Sequence, residues 1–335
     1  MEIRKVQVTG GSSYIVSLPK EWVKTSGIRK NDPVGLITQP DGTLLVTPKI
    51  TPEVAQREKR FEVSAATDQT FIFRCLIGAY IAGYTTITLF ARARLPPQIR
   101  IQVRQFTQMA IGQEVVDETE TSITIKDLLS PAEMPFQNTI KRMGVLVRGM
   151  HRDGVEALTS GNRRLAEDVL TRDNDVDRLH WLVARQTNLV LADPNLSRKM
   201  GVSPSMVMSY FLISRIIERI GDHATRVAKN AILLLDDGAT GTVTGMVREA
   251  SATSQTLFDQ ALRSLFSQDL EAANETLKRL PDLESQARAI NEEAMQFDAA
   301  TATAVVALSD SIRRTGEYSG DICETVINHL IDEGA

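Results

Sequence analysis

The sequence has 335 residues, which exceeds the size of one ordinary domain and predicts two or three. Hydrophobic residues make up 42% and charged residues 24%, a composition typical of globular proteins. The formal charge of −4 argues against a protein that coats nucleic acid along its whole length. Cys75 and Cys323 are too few for a zinc site or a disulfide framework, and the N-terminus lacks the apolar run of a secretory signal. These features indicate a cytoplasmic protein.

Residues 1–50 predict a small β-rich module with one short helix. A glycine-rich turn at 9–13 separates two segments with β-branched residues, and a turn at 40–42 separates two more. Between these hairpins, Pro19 favours the start of a helix that Gly27 ends. So small a unit has little core, and a dimer that interleaves strands would compensate for that.

Residues 51–134 predict a linker followed by a small α/β domain. The stretch 71–91 has a single charge, Arg74, but its length and its hydroxyl-bearing residues favour a buried helix followed by a strand over a membrane span. The order β-α-β-α-β-β predicts an α/β sandwich. The linker covers 51–59, and the predicted elements are strands at 61–63 and 86–90, helices at 69–84 and 97–110, and a hairpin at 113–125.

Residues 135–335 predict helices, with loops at 193–203 and 236–244, and contain an internal repeat. The segment 215–223 aligns with 310–318 at an offset of 95 residues, with matching arginine, glycine and acidic positions. The predicted repeats are two tandem three-helix units at about 135–237 and 244–332.

The helices before these segments align as well. Residues 172–177 match 279–284 at an offset of 107, and a longer loop at 194–204 in the first copy accounts for the difference between the two offsets.

Four carboxylates stand at helical spacing in the first copy. Glu218 and Asp222 are four residues apart, and Asp173 and Asp177 repeat that spacing on the preceding helix. Each pair therefore lies on one helical face. If the two helices are neighbours, the four carboxylates converge and suit a hard cation with oxygen ligands.

The alternative interpretation is a salt-bridge network without metal. It pairs the carboxylates with Arg178, Arg215 and Arg219, while Asp173 caps a helix. His223 follows Asp222 directly and faces elsewhere on the helix, so a packed or surface histidine is expected there.

The second copy departs from the carboxylate pattern. Its counterparts are Leu280 with Glu284 and Arg313 with Glu317, so each pair has lost its first carboxylate. Arg313 would place a positive charge where a metal would sit and can neutralise Glu317 or Glu284 itself. A second metal cluster is therefore not expected.

Four segments of the N-terminal module carry a family resemblance. They are Arg4-Lys5-Val6, Ser17-Leu18-Pro19-Lys20-Glu21-Trp22, Gly27-Ile28 through Asp32 with Val34, and Asp41-Gly42-Thr43-Leu44-Leu45. Together they resemble a SpoVT/AbrB-type DNA-binding module. The resemblance implies a swapped-hairpin homodimer whose two-fold axis matches a palindromic or pseudo-palindromic site in double-stranded DNA. Where the family often has glycine before Asp32, this chain has Asn31, which tolerates the same left-handed backbone.

The charge is unevenly distributed along the chain. The first 50 residues hold seven bases and four acids, a net charge of +3, which leaves −7 on the remainder. A dimer would double the basic patch, enough for several phosphate contacts and a steep salt dependence. Tyr14 and Trp22 are expected in the dimer core. The candidate DNA contacts are Arg4, Lys5, Lys20, Lys24, Arg29 and Lys30.

The helical part resembles the PhoU family of phosphate-uptake regulators, above all in Glu218-Arg219-Ile220-Gly221-Asp222-His223. With the N-terminal module, the chain resembles the fused AbrB–PhoU regulators common in archaea. The PhoU resemblance implies pairs of carboxylates on packed helices that hold iron, zinc or another divalent metal cluster. In this sequence those residues are Asp173, Asp177, Glu218 and Asp222.

The predicted fold is multidomain α+β, with a swapped-hairpin AbrB-like β module, a small α/β middle domain and C-terminal all-α PhoU-like tandem three-helix bundles. No nucleophile–base arrangement, phosphate-binding loop or zinc motif is evident, so an enzyme is not expected. The sequence predicts a transcriptional regulator whose basic dimer binds DNA and whose helical part responds to phosphate or metal status. The alternative is a signalling adaptor that binds a phosphate-transporter ATPase or a sensor kinase, with the β module acting mainly in dimerisation. An antitoxin role fits the N-terminal module alone.

Overall fold

The chain divides into two compact units, Met1–Ala55 and Gln56–Ala335. A computed structural model describes residues 2–38, 42–48, 57–237 and 241–333.

The first unit consists of two antiparallel hairpins and a short helix. Gly10 and Gly11 form the first turn with φ of 65° and 81°, values that residues with a Cβ rarely adopt. Asn31 has a φ of 73°, which confirms the left-handed backbone expected there. The predicted turn at 40–42 lies partly outside the described residues. The elements are β1 (Gln7–Thr9), β2 (Ser13–Ile15), α1 (Lys20–Thr25), β3 (Gly35–Thr38) and β4 (Leu44–Thr47).

The described part of this unit has almost no core of its own. Ile37 is its one buried residue among those described. Large apolar side chains point outward, with 84% of Ile3, 61% of Val8 and 77% of Tyr14 exposed. An isolated unit of this kind buries too little apolar surface to offset the entropy of ordering its chain.

The second unit begins with an α/β layer in the predicted order. Its strands pair in the order β5-β6-β8-β7, with β5 parallel to β6 and the other pairs antiparallel. The linker predicted at 51–59 lies largely outside the described residues. The elements are β5 (Glu58–Glu62), α2 (Gln69–Ile81), β6 (Thr86–Phe90), α3 (Pro97–Met109), β7 (Gln113–Glu118) and β8 (Ser122–Asp127).

The α/β layer has an apolar core on one face of its sheet. Ile87 and Leu89 on β6 and Ile123 and Ile125 on β8 are buried in alternation with more exposed neighbours, as expected for a sheet covered on one face. Helix α2 ends at Ile81, three residues earlier than predicted.

Two sets of three long helices follow, each with one additional short helix. The loop predicted at 193–203 instead contains α6, because the Asp193 side chain accepts a hydrogen bond from the Asn195 N–H at 2.9 Å and so caps a helix start. The loop predicted at 236–244 lies partly outside the described residues. A 3-10 turn at Pro131–Glu133 leads into α4 (Phe136–Ser160), α5 (Arg163–Ala192), α6 (Pro194–Met200), α7 (Pro204–Asp237), α8 (Gly241–Ser267), α9 (Leu270–Leu277), α10 (Leu280–Ala294) and α11 (Ala299–Glu333).

The equivalent helices α7 and α11 pack against each other in antiparallel orientation. Near one end, the Ser205 hydroxyl donates to Asp332 at 2.9 Å, and further along, the rings of His223 and Tyr318 lie 5.6 Å apart. The residue later in α7 contacts the residue earlier in α11, so the two helices run in opposite directions.

Helix α5 joins the helical body to the α/β layer. The guanidinium of Arg185, only 4% exposed, forms an ion pair with Asp127 and donates to the carbonyl oxygens of Tyr80 and Tyr84. The amide of Gln186 donates to the carbonyls of Pro131 and Met134 at 2.8 and 2.7 Å. A buried pair with its remaining donors satisfied fixes geometry, because losing one partner leaves an unpaired charge in the interior.

No single described helix has the length and apolar character needed to cross a membrane. The pair Pro194–Met200 and Pro204–Leu235, bent by 74°, meets those criteria together by length and composition alone.

Candidate carboxylate site and basic N-terminal surface

Helices α5 and α7 bring the four predicted carboxylates to one place. Asp173 and Asp177 lie in the middle of α5, and Glu218 and Asp222 in the middle of α7. Gly221 lies at the contact between these helices, where a Cβ would lie 3.4 Å from the Val176 side chain, an ordinary van der Waals contact. Asp173 is not a helix cap, as the salt-bridge alternative supposed.

Helix α5 begins ten residues before Asp173, at Arg163. Its cap is Asn162, whose side chain accepts a hydrogen bond from the Leu165 N–H at 3.3 Å. The helix therefore continues through the polar stretch that contains Asp173.

Burial and mutual repulsion make three of these carboxyl groups, Asp173, Asp177 and Glu218, hard to ionise. The pKa of Asp177 is raised to about 7, first by burial and then by the charges of Asp173, Glu218 and Asp222. The pKa of Asp173 is raised by burial and by the charge of Asp222, and the nearby Thr225 hydroxyl opposes the shift. Such shifts mark sites where a cation would relieve repulsion.

Glu218 has one satisfied and one unsatisfied oxygen. Its Oε1 accepts a hydrogen bond from Arg215 Nη1 at 2.8 Å, while the buried Oε2 has no hydrogen-bond partner. Burial raises the pKa of Glu218, and the charge of Arg215 opposes this. A buried, unpaired carboxylate oxygen is costly and is a site for an additional donor or cation.

The arginines of the salt-bridge alternative do not neutralise the cluster. Arg178 donates to the Met109 carbonyl at 3.0 Å and pairs with Asp175 at 3.5 Å. The guanidinium of Arg219 lies 6.0 Å from the ring centroid of Tyr318. Arg215 remains as the member of that set that pairs with a cluster carboxylate.

The donor chemistry fits a divalent cation, because all four side chains are oxygen ligands and three have pKa values raised by burial. In the part of the chain that the structure describes, no three His, Cys, Asp or Glu side chains are grouped closely enough to hold a metal ion. A bound cation therefore requires the carboxylates to draw closer than they lie here.

Sequence reasoning did not identify the polar partners of Asp173 on α7. The Thr225 hydroxyl and the charge of Lys229 both lower the pKa of Asp173. They follow Asp222 by three and seven residues, which places them on the same helical face as Asp222. This helical periodicity is the sequence signal that could have identified them.

In the second copy, Arg313 occupies the equivalent place and is itself neutralised. It forms ion pairs with Glu317 and, at 2.6 Å, with Asp310, while Arg314 pairs with Glu317 at 3.0 Å. The charge of Glu284 also acts on the Arg313 guanidinium. Arg313 thus neutralises Glu317, as the sequence predicted.

The candidate DNA contacts all lie in the first unit, and all six are exposed. Arg4 pairs with Glu2 at 2.6 Å, and the Arg29 backbone N–H donates to Asp32 at 2.7 Å. Trp22 is half-buried and Tyr14 is 77% exposed, so neither is covered within the chain itself. The exposed bases are Arg4, Lys5, Lys20, Lys24, Arg29 and Lys30.

Both parts of the chain are similar to known families. Residues 140–231 match the PhoU domain family, and residues 7–53 match the family described as antidote-toxin recognition MazE, bacterial antitoxin. A phosphate-specific transport system accessory protein PhoU homolog of Caulobacter vibrioides is 23% identical over 200 residues, 58% of this chain and 86% of that protein. The homolog with the same description in Aquifex aeolicus is 32% identical over 96 residues, 29% of this chain and 42% of its own length.

Two solved structures share the helical fold. PhoU from Pseudomonas aeruginosa has a TM-score of 0.53 at 23% identity and covers 59% of this chain and 96% of its own. The phosphate transport system regulatory protein PhoU from Streptococcus pneumoniae has a TM-score of 0.51 at 17% identity and covers 60% and 94%. The chain therefore joins a MazE/AbrB-like module to a PhoU domain.

Proposed function

We propose that this protein is a DNA-binding transcriptional regulator linked to phosphate uptake, and that it works in the cytoplasm as a homodimer. The observation that carries the proposal is the union, on one chain, of a basic and apolar β module with a PhoU domain. The similarity to accessory proteins of phosphate-specific transport supports the link to phosphate.

The exposed apolar side chains of the first unit support dimerisation through that unit. Leu36 and Tyr14 are 62% and 77% exposed, although such residues are normally buried. A second copy that interleaves its hairpins would cover them and complete the core. A monomer mass for the full chain in light scattering would contradict this.

The basic residues of the same unit support contact with DNA phosphates. All six candidate residues are exposed, and four of them, Lys5, Lys20, Lys24 and Lys30, are lysines on a unit whose first 50 residues carry +3. Pairing two copies would place two such surfaces about a two-fold axis, which matches a palindromic site.

Helix α5 offers a route from the carboxylate site to the α/β layer. Asp177 and Arg185 lie eight residues apart on it, a distance of about 12 Å along a continuous helix. A shift of α5 at the carboxylates would therefore move the group that holds the Asp127 side chain and the Tyr80 carbonyl. A signal that favours one position of α5 would act by population shift.

The carboxylate site is proposed to hold a divalent metal ion or cluster, iron or zinc among the candidates. Asp173, Asp177, Glu218 and Asp222 would be its ligands, and the positive charge would relieve their mutual repulsion.

Salt-dependent DNA binding tests the regulator. The full chain should bind DNA from its own promoter region in fluorescence anisotropy, and the logarithm of its affinity should fall linearly with the logarithm of salt concentration. Replacing both Arg4 and Lys5 by alanine should weaken binding by at least tenfold and reduce that slope. The matched control is the exposed pair Arg198 and Lys199, whose replacement by alanine should leave affinity unchanged. Equal affinity in the two variants would refute the contact surface.

Metal content tests the carboxylate site. Protein prepared with excess iron and zinc should retain metal after desalting, and Glu218→Gln should lose it. Glu284→Gln in the second copy serves as the control and should retain it. Metal-free wild-type protein under these conditions would contradict the site.

The second candidate function is a signalling adaptor that binds a phosphate-transporter ATPase or a sensor kinase. The similarity to transport accessory proteins over 58% of the chain favours it. In that case promoter DNA would not bind specifically, and a genome-wide map of bound DNA would show no enriched sites.

A further inference from the structure

A polar pocket of about 350 Å³ lies between α7 and α11, beside the carboxylate cluster, with which it shares Asp222. Three arginines line it, two from α7 and one from α11. The rings of His223 and Tyr318 also line the pocket, with ring centroids 5.6 Å apart. The arginines are Arg219, Arg226 and Arg314.

The pocket lies on the axis that relates the two repeats. The offset of 95 residues makes His223 equivalent to Tyr318 and Arg219 equivalent to Arg314. Because the antiparallel helices meet at equivalent residues, a pseudo-two-fold axis passes between the two rings. Each repeat thus contributes one equivalent arginine to the pocket.

Positive charge in the pocket is only partly neutralised by the protein. Within the described part of the chain, Arg219 and Arg226 form no ion pair, and Arg314 pairs with Glu317 at 3.0 Å. His223 is 7% exposed, and its Nδ1 has no hydrogen-bond partner. A buried ring nitrogen without a partner in a polar pocket is a position for a ligand atom.

Two carboxylates also line the pocket, and they restrict which anion fits. Asp310 pairs with Arg313 at 2.6 Å, and Asp222 belongs to the carboxylate cluster. Carboxylates repel an anion that has only acceptor oxygens, but they accept a hydrogen bond from an anion that carries a hydroxyl. Inorganic phosphate keeps at least one proton at neutral pH, whereas sulfate keeps none.

We propose that this pocket binds free inorganic phosphate, with Arg219, Arg226 and Arg314 holding the charged oxygens and Asp222 or Asp310 accepting a hydrogen bond from the hydroxyl. Guanidinium groups match phosphate geometry through paired N–H donors. The site gives the regulator proposed above an effector, and it can be tested without DNA or metal, so the two proposals can fail separately.

Calorimetric titration of the full chain, treated with a chelator, is the test. At pH 7.5 inorganic phosphate should bind with one site per chain, and sulfate should bind at least tenfold more weakly. Glycerol 3-phosphate should also bind more weakly, because a phosphate monoester has a second pKa of about 6 and has lost its hydroxyl proton at that pH. Absence of phosphate binding, or equal affinity for sulfate or for the monoester, would overturn the proposal.

Variants locate the binding. Arg219→Gln and Arg226→Gln, both at exposed positions, should each weaken phosphate binding at least tenfold. Arg288→Gln, at an exposed position on α10 away from the pocket, should leave it unchanged. Asp173→Asn removes a cluster carboxylate that does not line the pocket and should retain phosphate binding, whereas loss of binding in this variant would place the anion at the cluster and overturn the pocket. Thermal unfolding checks that each variant is folded.

Discussion

The two helical repeats share their packing and differ in their charge. In both, a glycine at the equivalent position faces a neighbouring helix, with Gly221 near Val176 and Gly316 near Leu283. The first repeat places carboxylates with raised pKa values around that contact. The second places Arg313 there, already paired with Asp310 and Glu317.

The difference shows that helix packing and site chemistry vary independently in this fold. At both positions an apolar side chain of the neighbouring helix faces the glycine, while the charged residues beside the glycine differ between the repeats. In the first repeat, burial and mutual repulsion raise the pKa values of three carboxylates, and Arg215 pairs with one of them, Glu218. The second carries its own cation, and its acids need no other partner.

The largest effect is expected from Asp177→Asn. Raising a carboxyl pKa from 3.8 to about 7 means that the folded protein binds the proton more tightly than the unfolded chain. Stability of the metal-free protein should therefore fall as pH rises from about 4 to about 7. The full shift corresponds to about 4 kcal/mol at about 1.4 kcal/mol per pKa unit, and solvent screening of this partly exposed carboxyl reduces the effect to roughly 2–3 kcal/mol. Asparagine removes this penalty, so the variant should be stabilised at pH 8 and unchanged at pH 4. Urea unfolding across that pH range measures it.

The equivalent change in the second repeat is the control for that prediction. Glu284→Gln should give no stabilisation at pH 8, because Glu284 is exposed and lies near Arg313. Equal stabilisation of both variants would mean that the repeats do not differ in their electrostatics.

The paired glycines should respond with opposite signs to alanine. A Cβ at Gly316 would overlap the buried side chain of Leu283, so Gly316→Ala should destabilise by about 1–3 kcal/mol. At Gly221 the nearest atom would be 3.4 Å away, an ordinary contact, and Gly221→Ala should stabilise by up to about 1 kcal/mol through helix propensity. Urea midpoints of the two variants give the comparison, and destabilisation of both would show that the first repeat is packed as tightly as the second.

A smaller effect is expected from Arg313→Gln. It removes two ion pairs that are partly exposed to solvent, which should cost about 0.5–1.5 kcal/mol. Arg314→Gln removes one more exposed pair and should change stability by less than about 0.5 kcal/mol. Both differences should shrink in 1 M salt. A larger effect at Arg314 would mean that Arg313 is not the main cation of this site.

Short sequence patterns predicted individual strands and helices, but they did not predict contacts between residues that are distant in the sequence. The strand at Thr86–Phe90 was predicted with both ends, because β-branched and apolar residues alternate there between clear turns. The helix predicted to reach Tyr84 ends sooner, because Gly83 adopts a φ of 85° that leaves the helix.

In the candidate site, the spacing of the carboxylates predicted that each pair lies on one helical face. The two pairs were predicted to converge if α5 and α7 are neighbours. The prediction that Asp173 caps a helix was wrong. The polar residues around Asp173 are typical of a helix start, but α5 begins earlier, with Asn162 as its cap. The ion pair of Arg185 with Asp127 joins residues 58 apart, and no periodicity marks it.

The attachment of Arg185 has a practical consequence for dissecting the molecule. A fragment starting at residue 135, where the long helices begin, would retain Arg185 but lose Asp127 and the two tyrosine carbonyls that hold it. It would also expose Trp181, which packs against the core of the α/β layer. Such a fragment would contain an unpaired guanidinium and an exposed apolar surface. The shortest fragment of the helical body that stays soluble should therefore begin upstream of β5.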